Sequence, residues 1–413
     1  MFQVISVTDA ITTVTNQVHE NLPQFATSEA SYQNGVHKVL SSDVIVPQDL
    51  PPFSRSTVDG YAVKAEDTFG ASESLPALLD NKGKISMGET PENKINQEET
   101  MEIATGGMLP QESDAVVMLE DVEQFEDGTI MVYRSVAAGE NVIQKGEDAS
   151  EGKKVLTAGT EIRPQDIGAL AAMGIKTVSV YECPVVGIIS TGDELVSPEE
   201  PLADGKIRDI NSWVFASSVE TLKAQPFLYG IIPDEEENLR ATLNKAVNEC
   251  ELVIVSGGSS VGARDLTAKI INELGSPGLL FHGISIKPGK PTMFGMVGET
   301  PVFGLSGNPV SAMITFDILV RPAVKILRGI NSTTDMFSTS CQAVLTRNVS
   351  SSSGREDYIR VSLTQNNEGE LEAVPVLGES GLIFTLVEAH GLIKISQNTE
   401  GLRAGDTVEV YRI

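Results

Sequence analysis

The stretch PVVGIIST, residues 184–191, is a continuous apolar run that ends abruptly in polar residues. Apolar runs without alternation are typical of strands that are buried on both faces of a parallel sheet. A second run of this kind, ELVIVSGG at 251–258, follows two segments with helical periodicity and one further strand-like segment. Strand and helix patterns alternate from 182 to 330, which predicts a three-layer α/β domain with a mostly parallel sheet.

Two helix starts can be placed within this region. Asp265 precedes LTAKIINELG and is predicted to be an N-cap residue. Asn308 is predicted to cap a long helix that ends at about Arg328, with Pro309 as its first residue.

The flanking sequence has a different character. Residues 1–46 predict a helix followed by an extended segment, and 47–148 contain prolines, glycines and short apolar runs that indicate a β-rich module. The segment RPQDIGALAAMGI, 163–175, returns to a helical pattern and could pack back against the N-terminal segment. From 331 onward, alternation such as that in YIRVSL, 358–363, predicts a small β-barrel or sandwich.

Composition limits the class of protein. The chain has 413 residues, of which 57 are Asp or Glu and 30 are Lys or Arg, so nucleic acid is not expected as a partner. No apolar run is long enough to cross a bilayer, and the start lacks a signal-peptide pattern, so a cytoplasmic location is expected. The three cysteines and four histidines have no metal-ligand spacing, and buried, inert thiols are the expectation.

Three polar loops are expected at the carboxyl edge of the predicted sheet, where ligands bind in this kind of fold. They are TGDEL (191–195), SGGSSVGARD (256–265) and SGNPVSA (306–312). Glycines in such loops let backbone amides approach a phosphate, although tight turns alone would also explain them. The candidate ligand-binding residues are Thr191, Gly192, Asp193, Ser256, Gly257, Gly258, Ser306, Gly307 and Asn308.

Charged side chains accompany these loops. Asp193, Glu194 and Asp265 could hold Mg²⁺ beside a phosphate, while helix or turn capping is the alternative for each. The proline-flanked loop IKPGKP, 286–291, holds Lys287 and Lys290 in a position to clamp an anion, unless it is an ordinary exposed turn. Arg355 could grip an oxyanion, and Arg360 could do the same or face solvent from a strand.

Nine segments in a fixed order resemble the molybdopterin molybdotransferase family, which includes the bacterial MoeA proteins and the E domain of gephyrin. They span nearly the whole chain. They are PPFSRSTVDGYAV (51–63), ATGGMLP (104–110), GEDAS (146–150), TGDEL (191–195), NSWVFASSVE (211–220), SGGSSVGARD (256–265), KPGKP (287–291), GLSGNPVSA (304–312) and GREDYIR (354–360).

The resemblance implies an architecture of four domains in an elongated homodimer. It implies a discontinuous domain (1–46 and 149–181), a β-rich domain (47–148), an α/β molybdopterin-binding domain (182–330) and a C-terminal β-barrel (331–413). In the family the active cleft lies between the α/β domain of one subunit and the β-rich domain of its partner. Asp59, Thr105 and Asp148 are therefore expected to reach the site from the partner side.

The resemblance also implies a reaction. Adenylylated molybdopterin, made by a separate molybdopterin adenylyltransferase, and molybdate would give molybdenum cofactor and AMP, with Mg²⁺ as cofactor. Asp59, Glu194, Asp265, Lys287 and Lys290 are the implied catalytic residues, and Glu194, Asp234 and Asp265 the implied metal ligands. Lys287, Lys290, Arg360 and Ser380 would form the anion pocket, shaped by Pro288 and Pro291, with Arg355 competing with Arg360.

Three alternatives stay open at this point. A paralogue that prefers tungstate would have the same residues, because the two oxyanions have the same charge and nearly the same size. A non-catalytic scaffold is a second alternative, but it would not need Asp59, Glu194, Asp265 and the lysine loop. An inactive regulatory homologue that still binds the pterin is the third.

Overall fold

The computed structural model describes residues 4–20, 26–257, 261–330 and 339–413, without the side chains of 261–264. Its 3-10 turns are Tyr32–Asn34, Ala65–Thr68 and Leu119–Asp121. Its α-helices are α1 (Val7–Glu20), α2 (Pro164–Ala172), α3 (Asn211–Thr221), α4 (Glu236–Glu249), α5 (Val261–Leu274), α6 (Pro309–Thr315), α7 (Arg321–Leu327) and α8 (Phe384–Val387).

A six-stranded sheet forms the middle layer of the α/β unit. Alternate residues of its strands face opposite layers: Ile188 and Ile254 pack with α3, α6 and α7, whereas Ile189 and Val253 pack with α4 and α5. The first four strands in the order below run parallel to one another. The fifth runs antiparallel to them, and the sixth pairs antiparallel with the fifth, so five of the six strands share one direction, which confirms the predicted three-layer α/β fold. The order is Gln225–Ile232, Val185–Thr191, Leu252–Gly257, Thr300–Leu305, Met293–Val297 and Pro277–His282.

The two predicted helix starts have different outcomes. Pro309 is the first residue after the N-cap Asn308, as predicted, but a π-helical turn at Phe316–Val320 separates α6 from α7. Pro322 has no N–H to bond to the carbonyl of Ile318, which disfavours a continuous α-helix there. The prediction for Asp265 is wrong: α5 begins at Val261, so Asp265 lies inside the helix, since the preceding residues include good helix formers.

Helix α1 packs on the α/β unit. Its buried residues Val7, Ala10, Val14 and Val18 share a core with the segment 316–327. A second core joins 30–46 to 149–180 and includes Ala30, Leu40, Ala149, Leu170 and Val180. The predicted discontinuous unit includes all of 1–46, and within it the apolar stripe of α1 is covered by the last helices of the α/β unit.

The β-rich part contains another six-stranded sheet, and five short strand pairs lie within the individual units of the described chain. The sheet order is Ala115–Met118, Gly60–Val63, Glu99–Ile103, Ala77–Ile85, Thr129–Val132 and Val122–Gln124. The pairs are Thr27–Ser31 with Thr177–Tyr181, Val44–Ile45 with Lys154–Leu156, Arg55–Ser56 with Val142–Ile143, Leu195–Val196 with Ile207–Arg208, and Val349–Ser350 with Gly401–Leu402.

The C-terminal part is a closed barrel rather than a sandwich. Its five strands follow one another in the order Glu356–Gln365, Leu371–Pro375, Ser340–Leu345, Thr407–Arg412 and Gly391–Ile395, and the last pairs with the first. The short strand Ile286–Lys287 of the α/β unit adds to Glu356–Gln365 in parallel. This pairing attaches the barrel directly to the lysine loop.

The cysteines and helices test two further expectations. All three cysteines are free thiols; Cys250 is buried, Cys341 is half-buried, and Cys183 is exposed, so the expectation of buried thiols is wrong for Cys183. Within the described ranges, none of the helices has the length and apolar character that crossing a membrane requires.

A capping box at the start of α2 gives a testable stability effect. Both carboxylate oxygens of Asp166 accept hydrogen bonds from Arg163, including its backbone N–H at 2.9 Å. The Arg163 guanidinium, aided by the backbone N–H, holds the pKa of Asp166 below its ordinary value despite burial. We expect Asp166→Ala to lower the free energy of unfolding by about 1–2 kcal/mol at pH 7.

The pH dependence of this effect has a defined sign. Because the folded-state pKa of Asp166 is lowered, its contribution is complete above the ordinary value of 3.8 and is lost as the pH falls through the folded-state pKa. The difference between wild type and variant, measured by urea unfolding, should therefore shrink below about pH 4. Asp204→Ala in an exposed loop is the control, and a difference that stays constant down to pH 2 would contradict the assignment.

Candidate functional site

A cavity of about 330 Å³ lies at the carboxyl ends of the parallel strands. Thr191 and Gly257 are register partners at the ends of adjacent strands, and Ser190 pairs with Ser256 one position earlier. The loop after Thr300–Leu305 adds Gly307 and completes the same edge. The structure thus brings the three predicted polar loops together, with Gly258 outside the described residues.

Two glycines in this edge have a positive φ, and Gly257 also approaches the neighbouring backbone closely. Gly257 has φ +140°, and a Cβ there would lie 2.2 Å from the carbonyl oxygen of Thr191. Gly192 has φ +152°, and a Cβ there would lie 2.8 Å from Oε2 of Glu194. Both backbone positions strongly favour glycine, so the sequence pattern reflects chain geometry as well as room for a ligand.

Carboxylates gather beside this cavity. Glu194 lines it, and the backbone N–H of Asp234 donates to Oδ1 of Asp193 at 3.3 Å. Burial raises the pKa of Asp234, and the charges of Asp193 and Glu194 act in the same direction, against a hydrogen bond from Thr191. Asp265 is exposed on α5.

These carboxylates bear on the predicted metal site. In the described part of the chain, no group of three or more His, Cys, Asp or Glu side chains is arranged to hold a metal ion. Mg²⁺ commonly takes one or two carboxylates and completes its shell with water and ligand phosphates. The pair Glu194 and Asp234 fits that donor set, whereas a cage made by protein alone does not.

A larger cavity of about 640 Å³ lies between the α/β unit and the barrel. Four cationic side chains line it: Lys287, Lys290, Arg355 and Arg360. Pro288, Pro291, Ser306, Asn308 and Ser380 also line this cavity. The sequence-predicted anion pocket is therefore assembled from two units of the fold.

A glycine lets the loop 286–291, which contains Lys287 and Lys290, pack closely against α6. Gly289 has φ +112°, and a Cβ there would lie 2.4 Å from Cγ2 of Thr315. The strand pairing of Lys287 with Asp357 fixes the other side of the loop. The backbone of the loop is thus fixed on both sides, while Lys287 and Lys290 are themselves exposed.

The two arginines have different environments. Arg360 is buried and donates from Nη1 to the Thr385 hydroxyl at 2.9 Å and from Nη2 to the Gly378 carbonyl at 2.6 Å. Burial lowers its pKa, and the expectation that Arg360 could face solvent is wrong. Arg355 donates from Nε to the fully buried Asp357 at 2.9 Å and keeps about a third of its side chain exposed.

The two cavities adjoin at Asn308, which lines both. Its Nδ2 donates to the Ser380 hydroxyl at 3.1 Å, and the backbone N–H of Val310 donates to the Ser380 carbonyl at 3.1 Å. The loop that contains Ser380 and Gly381 therefore forms a common wall. A ligand group in one cavity would lie next to a ligand in the other.

The remaining predicted residues lie elsewhere in the chain. Thr105 donates to Oδ1 of Asp59 from its backbone N–H at 2.7 Å and from its hydroxyl at 3.2 Å, so these two are neighbours as expected. Asp148 lines a separate cavity of about 610 Å³ with Arg55 and Glu147. Neither cavity described above includes Asp59, Thr105 or Asp148 in its lining.

Sequence reasoning missed several lining residues. Asn211, Asp209 and Ser190 line the smaller cavity, and Asn348 and Glu379 line the larger one. The available signal for Asn211 was a polar pair, Asn-Ser, at the start of a helix whose following residues are apolar. Asn348 and Glu379 lie in loops of the barrel, and their sequence carries no comparable signal.

Comparison with known proteins gives full-length matches. Residues 5–174 match the model of the MoeA N-terminal region (domain I and II), 187–326 match the "Probable molybdopterin binding domain" model, and 342–413 match the MoeA C-terminal region (domain IV). The chain is 34% identical to the molybdopterin molybdenumtransferase of Bacillus subtilis, over 94% of this chain and 90% of that one. It is also 34% identical to the Haemophilus influenzae protein of that name, over 93% of each.

A solved structure agrees with these matches. The crystal structure of a molybdopterin biosynthesis MoeA protein from Pyrococcus horikoshii superposes with a TM-score of 0.84 at 36% identity and covers 99% of each chain. The similarity therefore extends over every unit described above and includes both cavities.

Proposed function

This chain belongs to the MoeA family of molybdopterin molybdenumtransferases, and from that premise we propose that it transfers molybdenum from molybdate to adenylylated molybdopterin with release of AMP. The family relatives are transferases of molybdenum cofactor biosynthesis. The reaction itself is the one that the family resemblance implies, and the two cavities support it. In it, water cleaves the phosphoanhydride bond to AMP. Two molybdate oxygens leave as water when the two dithiolene sulfurs bind molybdenum; two of the four protons come from the dithiol and two from solvent, and molybdenum keeps its oxidation state.

The observation that carries this proposal is the pairing of two unlike, adjoining cavities. Four cations line the larger cavity in a chain with a net charge of −27, which is the environment that a tetrahedral dianion requires. The smaller cavity offers strand-end backbone and hydroxyl groups of the kind that bind phosphate. Their common wall at Asn308 would place the oxyanion next to the dithiolene.

Different residues of this chain would bind the oxyanion, the pterin phosphate and the metal ion. Lys287, Lys290 and an arginine would hold the oxyanion by charge-assisted hydrogen bonds. The loops at Thr191, Ser256 and Gly307 would fix the pterin phosphate. Mg²⁺, held by Glu194 and Asp234, would neutralise charge on the phosphoanhydride. Asp265 would become a third metal ligand only if α5 or the bound substrate brought its carboxylate closer to Glu194 and Asp234.

We further propose a homodimer in which Asp59, Thr105 and Asp148 of one subunit serve the cleft of the other. Within one chain these three residues lie outside both cavities, so a second copy is the simplest source of additional carboxylates. The adenylylated substrate would be delivered by a separate adenylyltransferase.

The test is AMP release from adenylylated molybdopterin with Mg²⁺ and molybdate, in wild type and in Glu194→Gln. We expect the variant, which keeps the size of the side chain and loses its charge, to cleave about 100-fold more slowly. Glu199→Gln, an exposed carboxylate in the following turn, is the matched control. Faster turnover with tungstate than with molybdate would establish the other metal specificity, and tight binding without AMP release would instead indicate a scaffold or regulatory homologue.

A further inference from the structure

The first turn of α3 contacts the ends of all three central parallel strands. Nδ2 of Asn211 donates to the Ser256 hydroxyl at 2.9 Å and to the Gly307 carbonyl at 3.0 Å, with the Ser306 carbonyl at 3.4 Å. The neighbouring hydroxyl of Ser212 hydrogen-bonds that of Ser190 at 2.8 Å. Two consecutive side chains thus connect the carboxyl ends of three parallel strands at the smaller cavity.

This polar pair is buried. Asn211 is 5% exposed and Ser212 is 4% exposed, whereas the other buried residues of α3 are apolar. The three acceptors around Nδ2 fix the orientation of the amide, and Oδ1 of Asn211 is then buried without a hydrogen-bond partner among the described residues. An unpartnered buried acceptor is unfavourable for folding, so stability alone does not explain an asparagine here.

We infer that Asn211 is a positioning residue for the substrate phosphate, an inference that rests on the proposed function. Its amide fixes the distance between Ser256 and Gly307, which belong to loops after different strands. It acts through these loops, because its own oxygen is covered. Phosphate-binding groups must be held in place before the ligand arrives if they are to bind it without reorganisation.

The local charges support a role confined to the smaller cavity. Asp209 is buried, and its Oδ1 accepts the backbone N–H of Ser212 at 3.2 Å, which orients the start of α3. Lys287, Lys290, Arg355 and Arg360 line the other cavity, which Asn211 does not line, whereas Arg208 lines the smaller one beside Asn211. Loss of the Asn211 amide should therefore weaken binding of the pterin substrate and leave binding of the oxyanion intact.

Asn211→Asp tests this with an isosteric side chain that has no N–H donors. We expect KM and Kd for adenylylated molybdopterin to rise about 10- to 100-fold, since an acceptor would then face the Gly307 and Ser306 carbonyls. We expect kcat to change less, and Kd for molybdate to stay within about twofold of wild type. Ser212→Ala, which removes only the contact to Ser190, should raise KM by a few-fold.

Asn211→Ser, which keeps one donor, provides a milder variant if Asn211→Asp does not fold, and it should lie between wild type and Asn211→Asp in KM. Two results would overturn the inference while leaving the proposed function standing. One is an equal loss of molybdate and pterin binding at an unchanged folded fraction. The other is a wild-type KM in folded Asn211→Asp or Asn211→Ser. Failure of the wild type to bind adenylylated molybdopterin would overturn both.

Discussion

Replacing Gly257 with alanine should reduce cleavage of adenylylated molybdopterin by more than about 100-fold and lower the free energy of unfolding by about 2–4 kcal/mol. The added Cβ would lie 2.2 Å from the Thr191 carbonyl oxygen and 2.5 Å from its hydroxyl. Thr191 is buried in the adjacent strand and cannot move away without breaking the pairing between the two strands. The strand ends would separate at the point where both loops line the cavity.

Gly205→Ala is the matched control for this prediction. Gly205 also has a positive φ, +77°, but a Cβ there would meet nothing within 4 Å. In that variant, backbone strain should lower the free energy of unfolding by only about 1 kcal/mol, and AMP release should be unchanged. Chemical unfolding and initial rates of AMP release measure both effects. Wild-type stability and activity in Gly257→Ala would show that the two strand ends are not held as the structure describes.

Replacing Arg355 with alanine should raise the dissociation constant for molybdate about 10- to 100-fold, the loss expected for charge-assisted hydrogen bonds. Asp357 engages Nε of Arg355, and no other hydrogen bond of this guanidinium occurs among the described residues, so its terminal nitrogens remain for a ligand. Arg360 has both terminal nitrogens bonded within the barrel. This contrast favours Arg355 as the oxyanion ligand.

Arg360→Ala should therefore act mainly on stability, because it leaves the Gly378 carbonyl and Thr385 hydroxyl without their donor. Arg355→Lys retains a cation beside the buried Asp357 and should recover only part of the molybdate affinity. Lys84→Ala in the β-rich sheet controls for net charge. Titration calorimetry with molybdate gives the constants. Selective loss of molybdate binding in Arg360→Ala, with normal binding in Arg355→Ala, would reverse the assignment.

The central layer of the fold could be predicted from the sequence because the local composition of its strands indicates that they are buried. PVVGIIST and ELVIVSGG are apolar on both faces, and both became central parallel strands with polar loops at one edge. The convergence of Thr191, Ser256 and Gly307 follows from that topology. The residues of the predicted anion pocket came from the proline-flanked lysine loop, the arginines of the barrel and the family resemblance, and the structure places them around one cavity.

Other features depend on tertiary contacts that no local pattern contains. The apolar stripe of α1 predicts a buried face but does not predict that the last helices of the α/β unit cover it. The alternation in YIRVSL predicts one buried face, yet Arg360 is buried as well because the barrel packs on the α/β unit there. Asn211 lies in the segment NSWVFASSVE, but the contacts that suggest a positioning role are with two loops far away in sequence.

The measurement that tests the central claim most directly is the amount of AMP released by purified wild-type protein from adenylylated molybdopterin, with and without molybdate, together with the molybdenum bound to the product. Adjoining cavities for the two ligands predict that AMP release requires molybdate and that one molybdenum is inserted for each AMP. AMP release at the same rate without any oxyanion, or release without molybdenum in the product, would contradict the account.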